Sequence, residues 1–212
     1  MSCQAQPGGP LHGPVFMAAM AKAAEQGGAV ALRANGPDDI KAMKEVSALP
    51  IVGLWKLELP GFEPYITPTL ESARAIADAG ADVIALDATS RTHPEGDGFL
   101  GRVKAELQRP IFADVATLGE GVAAAEAGAA YVSTTLSGYT AYTERTDVPD
   151  LGLLRDLVRA VNVPVVAEGR FWTPEQVARA FDLGAHAVVV GTAITNPVAI
   201  TRRFAAAVPE DA

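Results

Sequence analysis

Pro50-Ile51-Val52-Gly53-Leu54-Trp55-Lys56 and Gly80-Ala81-Asp82-Val83-Ile84-Ala85-Leu86-Asp87 share one layout: a helix breaker, a short apolar run, then a charged side chain. Short runs this apolar, bounded by proline or glycine, suit strands of a parallel sheet covered on both sides. The layout recurs along the chain. Pro50, Pro110 and Pro164 precede runs at 51–55, 111–113 and 165–167; proline there ends a helix and enters a strand without losing a ladder bond. Gly-Ala steps at Gly28, Gly80, Gly128 and Gly184 precede runs at 29–32, 83–86, 131–133 and 187–190, and glycine suits a left-handed helix terminus. From the second run onward the two preludes alternate strictly, as βα pairs repeated around a ring would.

Helix-length stretches separate the runs. Apolar residues at three- and four-residue spacing predict helices at 15–26, 38–47, 69–79, 98–107, 118–127, 151–160, 173–183 and 197–208. Thr173, Pro174 and Gln176 form a start signal, with a capping hydroxyl, a proline in the first turn and an amide that reaches back. With residues 1–4 as a first strand, the count is eight βα units. The predicted fold class is α/β: a (β/α)8 TIM barrel in a single compact domain over 1–212, its first strand shortened. A doubly wound open sheet would show the same alternation; the eightfold count and a ring of polar strand ends favour the barrel. Only Met1, Ser2 and Cys3 precede Gln4, whereas strands usually run to about five residues, so the natural start is expected upstream.

Those strand ends are Gln4, Arg33, Lys56, Asp87, Asp114, Ser133 with Thr134, Glu168, and Gly191 with Thr192. In a barrel they converge at the carboxyl ends of the strands, where the βα loops make one pocket. Lys56, carried out of an apolar strand, would stand in a partly desolvated rim, and burial lowers a lysine pKa toward a usable base. A lysine that snorkels to water or pairs with Asp87 has the same sequence signature. Glu168 arrives on the same face after Val165-Val166-Ala167, and could pair with Lys56, with Arg170, or with a substrate hydroxyl. A base on the third strand and a carboxylate on the seventh suit proton abstraction beside a carbonyl. Gly169 with Arg170 and Gly191 with Thr192 follow the last two strands, the usual phosphate position in such barrels.

The net charge of −8 disfavours nucleic acid or an anionic membrane as partner. There is no basic leader before an apolar core and no bilayer-length apolar run, so the expected location is the cytoplasm. Cys3 is the only cysteine, and His12, His93 and His186 lie too far apart for ligand spacing, so neither an internal disulfide nor a metal is expected. The sequence is compatible with a homodimer.

Longer segments resemble the N-acetylmannosamine-6-phosphate 2-epimerase family. They are Ser2-Cys3-Gln4-Ala5, Ala31-Leu32-Arg33-Ala34, Ile51-Val52-Gly53-Leu54 with Lys56, Ile66-Thr67-Pro68-Thr69, Ala85-Leu86-Asp87-Ala88-Thr89 with Arg91, Ala113-Asp114-Val115-Ala116-Thr117, Ser133-Thr134-Thr135-Leu136-Ser137-Gly138-Tyr139-Thr140, Ala167-Glu168-Gly169-Arg170 and Gly191-Thr192-Ala193-Ile194-Thr195. The resemblance implies an isomerase that inverts C2 of N-acetylmannosamine 6-phosphate through the open-chain aldehyde, in the breakdown of sialic acid and amino sugars. It implies that Lys56 moves the C2 proton while Glu168 holds sugar oxygens and tunes the lysine. It puts Gln4, Arg33, Asp87, Asp114, Thr134 and Tyr139 on the sugar, and Gly169, Arg170, Gly191 and Thr192 on the phosphate. The family pattern has a basic residue after Ala-Ile-Thr where this chain has Asn196, which implies weaker phosphate binding. Two other readings share the phosphate loops: another phosphate-binding barrel enzyme, such as a lyase or synthase, and a non-catalytic sensor of an amino-sugar phosphate.

Overall fold

A computed structural model describes residues 1–209. Eight parallel strands stand in sequence order: β1 (Ser2–Cys3), β2 (Leu32–Asn35), β3 (Ile51–Leu54), β4 (Val83–Asp87), β5 (Ile111–Asp114), β6 (Tyr131–Ser133), β7 (Val165–Glu168) and β8 (Ala187–Val189). The ring closes where the Ser2 N–H donates to the Val190 carbonyl at 2.9 Å. Helices α1 (Pro14–Gln26), α2 (Pro37–Val46), α3 (Leu70–Asp78), α4 (Phe99–Leu107), α5 (Leu118–Glu126), α6 (Leu151–Ala160) and α7 (Pro174–Asp182) follow successive strands. A short helix α8 (Thr192–Thr195) and then α9 (Pro197–Ala205) follow β8.

The expected barrel is present, with a first strand of only two residues. The predicted cap of α7 forms, since Thr173 Oγ1 accepts from the Gln176 N–H and the Gln176 side chain accepts from Thr173. The second strand is the correction. It was expected at 29–32 with Arg33 beyond its end, but β2 is Leu32–Asn35 and Arg33 lies inside it. Residues 29–31 are spent on the helix exit: the Ala29 N–H still bonds the Ala24 carbonyl, and Val30 is exposed.

Strand side chains alternate between two apolar layers. Outward residues such as Leu32, Ile51, Ile84, Ile111 and Val165 pack under the helices. Inward ones, Leu54, Ala85, Phe112 and Val166, join Ile66, Ala116 and Leu136 in the barrel interior. Gly53 lets the outer layer close on β3, because a Cβ there would lie 2.6 Å from the Ala81 Cβ. The same alternation turns Arg33 on β2, Asp87 on β4, Asp114 on β5 and Glu168 on β7 inward, above the apolar floor.

Cover is uneven around the ring. All four residues of β5 are buried, whereas the three of β8 are each half-buried, and α9 buries none of its side chains.

Candidate active site

Arg33 is the hub. Its guanidinium makes a two-pronged pair with Asp114, Nη1 to Oδ1 at 2.9 Å and Nη2 to Oδ2 at 2.6 Å, and Nη1 also donates to Glu168 Oε2 at 2.6 Å. It lies over the Phe112 ring, 5.0 Å from the centroid. The side chains of Arg33 and Asp114 are 3 % and 0 % exposed, that of Glu168 13 %, so Glu168 is the member that reaches the mouth. Its backbone is fixed by Thr134, whose hydroxyl donates to the Glu168 carbonyl at 2.9 Å and accepts from its N–H at 3.0 Å. Thr135 Oγ1 donates to Glu168 Oε2 at 3.3 Å. Oε2 is thereby occupied, and Oε1 is left for a ligand.

One cation between two carboxylates leaves the pair undercompensated. Burial, with Asp114 adding repulsion, raises the Glu168 pKa, while Arg33, Lys56 and the Thr135 hydrogen bond oppose the rise. Lys56 is lowered, by desolvation first and by repulsion from Arg33 second, against the pull of Glu168 and Asp114. Its side chain is open to water within the concave mouth, so screening limits the shift.

Lys56 begins a short hairpin. Lys56 bridges Ile66 in antiparallel fashion, the Leu57 N–H donates to the Tyr65 carbonyl at 2.9 Å, and the Thr67 N–H donates to the Trp55 carbonyl at 2.8 Å. Thr67, buried at a positive φ of 49°, pins the base of this hairpin through Thr67 Oγ1 to the Ala85 carbonyl at 2.6 Å. The Lys56 N–H donates to Asn35 Oδ1 at 2.8 Å. Asn35, Tyr65 and Thr135 therefore join the candidate site, and the sequence did not single them out. Tyr65 packs on the interior apolar layer, and its hydroxyl is pushed up to about 12 by burial and by the nearby Asp114 and Asp87 charges.

The remaining expected site residues divide by whether their polar atoms are already in use. Asp87 is bound by its own loop: Oδ2 accepts from Arg91 at 2.5 Å and Oδ1 from the Thr89 hydroxyl at 2.6 Å. It therefore pairs with Arg91, not Lys56. The Arg170 side chain donates to the Ser137 carbonyl at 2.5 Å and the Val148 carbonyl at 2.8 Å, and lies 5.3 Å from the Tyr139 ring centroid. It braces the loop after β6 and is not the partner of Glu168; Arg33 is. Backbone groups stay open at the expected phosphate position: among the described residues the N–H groups of Gly169, Arg170, Thr192 and Ala193 donate no hydrogen bond. Gly169 has φ 109° and Arg170 φ 60°, turning this stretch of backbone sharply after β7. Gly191 packs against β1, where a Cβ would come 3.2 Å from the Ser2 Cβ. Gln4 donates to Ser2 Oγ at 2.9 Å and its Oε1 is buried without a partner. Asn196 caps α9, its Oδ1 accepting the Ala199 N–H at 3.0 Å. No cluster of three or more His, Cys, Asp or Glu able to hold a metal occurs among the described residues.

Residues 17–210 match the family model for NanE, N-acetylmannosamine-6-phosphate epimerase. A relative from Caldanaerobacter subterraneus, assigned as an N-acetylmannosamine-6-phosphate 2-epimerase, is 50 % identical over 214 residues, covering 99 % of this chain and 90 % of its own. A Cutibacterium acnes relative with the same assignment is 50 % identical over 209 residues, covering 96 % and 90 %. The solved N-acetylmannosamine-6-phosphate 2-epimerase of Clostridium perfringens superposes with a TM-score of 0.94 at 45 % identity, covering 98 % of this chain and 91 % of that one. Thiamine phosphate pyrophosphorylase from Pyrococcus furiosus, at 20 % identity and a TM-score of 0.60, shares the fold alone.

Proposed function

Because this chain belongs to the N-acetylmannosamine-6-phosphate 2-epimerase family, we propose that it inverts C2 of N-acetylmannosamine 6-phosphate to give N-acetylglucosamine 6-phosphate. The observation that carries the reading is geometric: Lys56 follows β3 and Glu168 ends β7 at one barrel mouth, with Arg33 and Thr135 holding Glu168 Oε2 so that Oε1 is free. Burial acts in the same sense, lowering the Lys56 pKa and raising that of Glu168, which favours proton transfer between them and a substrate. In the open-chain sugar the C1 aldehyde acidifies the C2 hydrogen. Neutral Lys56 Nζ takes that proton and the C–H electron pair moves into an enolate across C2, C1 and O1; rotation about the C2–C3 bond then turns the other face of C2 to the lysine, whose ammonium returns a proton there. Glu168 Oε1 holds sugar oxygens and moderates the lysine, while Arg33 and Thr135 keep Oε2 in place. The aldehyde supplies the acidity, so the reading asks for no metal or cofactor and chelators should leave the rate unchanged.

The open amides after Gly169 and Gly191 are the proposed phosphate contacts, with Gln4 and Tyr139 on the sugar. Asp114 and Thr134 act from behind, through Arg33 and the Glu168 backbone. The proposed location is the cytoplasm, where a soluble sugar phosphate would be met. We also propose a homodimer, in which a second copy covers the half-buried β8 side and the apolar face of α9, where Phe204 is 74 % exposed. Light scattering should give twice the chain mass, and a monomer mass would refute that assembly.

The test of function is direct conversion, followed by proton NMR at the C2 and anomeric positions. Appearance of N-acetylglucosamine 6-phosphate from N-acetylmannosamine 6-phosphate is expected; binding without conversion would favour the sensor.

A further inference from the structure

Three helices open with the same reciprocal cap, and one of the three does more than cap. At the third position of α3, Ser72 bonds only Thr69; in α7, Gln176 Oε1 accepts from Trp172 and Thr173, both of its own loop. Glu120 occupies that position in α5 and is 7 % exposed. Its Oε2 accepts the Ala116 N–H at 2.8 Å and the Thr117 N–H at 3.0 Å, which completes the cap. Its Oε1 leaves the loop altogether. It accepts from the Ser90 N–H at 2.7 Å and the Ser90 hydroxyl at 2.9 Å, in the loop after β4, and from the Tyr142 hydroxyl, in the loop after β6.

We propose that Glu120 is a positioning residue, a carboxylate latch that ties the loops after β4, β5 and β6 into one wall of the barrel mouth. Ser90 sits between Thr89 and Arg91, the two side chains that hold Asp87. Tyr142 sits three residues beyond Tyr139, whose ring lies beneath Arg170. The latch thus sets two groups of mouth residues relative to Asp114, which lies two residues before Ala116 on the intervening strand. Only an ionised carboxylate can accept at both oxygens from all of these N–H and O–H groups; a neutral amide would turn an N–H2 toward other N–H groups. These donors hold the Glu120 pKa below its ordinary value despite burial, so the latch stays charged at neutral pH.

The inference rests on the mouth being the sugar site, and its test separates the two. Hydrogen exchange of segments 88–92 and 137–146 is measured together with kcat and KM on N-acetylmannosamine 6-phosphate for three variants. Tyr142→Phe removes one bond and leaves the cap; it should speed exchange in 137–146 alone and raise KM about fivefold with kcat within about twofold, the range of one lost hydrogen bond. Glu120→Gln should loosen both segments and raise KM at least about tenfold. Ser72→Ala, which breaks the equivalent cap of α3, should move neither. Unchanged exchange in Tyr142→Phe and Glu120→Gln, or a KM rise matched by Ser72→Ala, would overturn the latch. Loosened loops with an unchanged KM would overturn its positioning role, whereas absence of wild-type turnover would count against the proposed reaction and leave the exchange result to decide the latch.

Discussion

The β2–β5–β7 sector and the β8–α9 sector lie in one ring and are built on opposite terms. The first holds three charged groups almost out of water, each oxygen and nitrogen at the centre assigned a partner except Glu168 Oε1 and Arg33 Nε. The second offers backbone amides, half-buried strand residues and a helix with no buried side chain. The difference follows from chemistry. A proton must be removed at one carbon, so the groups that tune Lys56 have to be held within fractions of an ångström. A phosphate is large and symmetric, and backbone amides on two turns would suffice to hold it at the proposed position. The charged sector should therefore fail steeply and locally, and the amide sector mildly.

The steepest failure is expected at the base itself. Lys56→Ala should lower kcat by at least about a thousandfold while product affinity, measured by calorimetry, changes little. Substantial residual turnover would move the base elsewhere. Next in size is Arg33→Met, which leaves Asp114 and Glu168 buried without their cation; chemical denaturation should show a loss of about 3–5 kcal/mol. A loss below about 1 kcal/mol would mean that the buried charges find other partners. Glu168→Gln keeps the shape and removes the charge, and should lower kcat about a hundredfold. In the other sector, Asn196→Ala removes the α9 cap and should cost about 1 kcal/mol, with kcat unchanged. If it cost as much as Arg33→Met, the comparison of sectors would fail.

A further effect concerns acid stability. His93 stacks on Phe99 with centroids 4.0 Å apart, and partial burial pushes its pKa down to about 4. A group whose folded pKa is depressed binds its proton more readily when unfolded. Its contribution is therefore complete above the ordinary histidine range, near 6.5, and lost as pH falls toward about 4. His93→Phe should keep the stacking and flatten the fall in melting temperature across that window. An unchanged slope would place the acid sensitivity in other groups.

What the sequence disclosed follows the same division. The barrel was legible because breakers and apolar runs are local signals, and the runs at 51–55 and 131–133 fall on β3 and β6 almost residue for residue. The second strand was misplaced because Val30 reads as core but faces water, while Arg33 reads as a strand end but is buried. Its partners, Asp114 and Glu168, are 81 and 135 residues away, and no local pattern reveals which carboxylates a buried arginine meets. Lys56 and Glu168 were named as a site from their places at strand ends. Tyr65, Asn35 and Thr135 were missed because a hairpin and two strand-end neighbours bring them in, and their residue types alone carry no signal. Asn196 stands where the resemblance expects a cation, and the sequence did not show that its side chain caps α9.

The central claim is that the C2 proton passes through Lys56, and turnover in heavy water tests it most directly. Conversion of N-acetylmannosamine 6-phosphate should place deuterium at C2 of the N-acetylglucosamine 6-phosphate formed. Even if the site excludes exchange, a lysine that starts with two solvent deuterons and takes one substrate proton should return deuterium in roughly two of three turnovers. Mass spectrometry at low conversion should therefore find most product labelled at C2, with labelling lost along with turnover in Lys56→Ala. Product that keeps its C2 protium at low conversion would contradict the account.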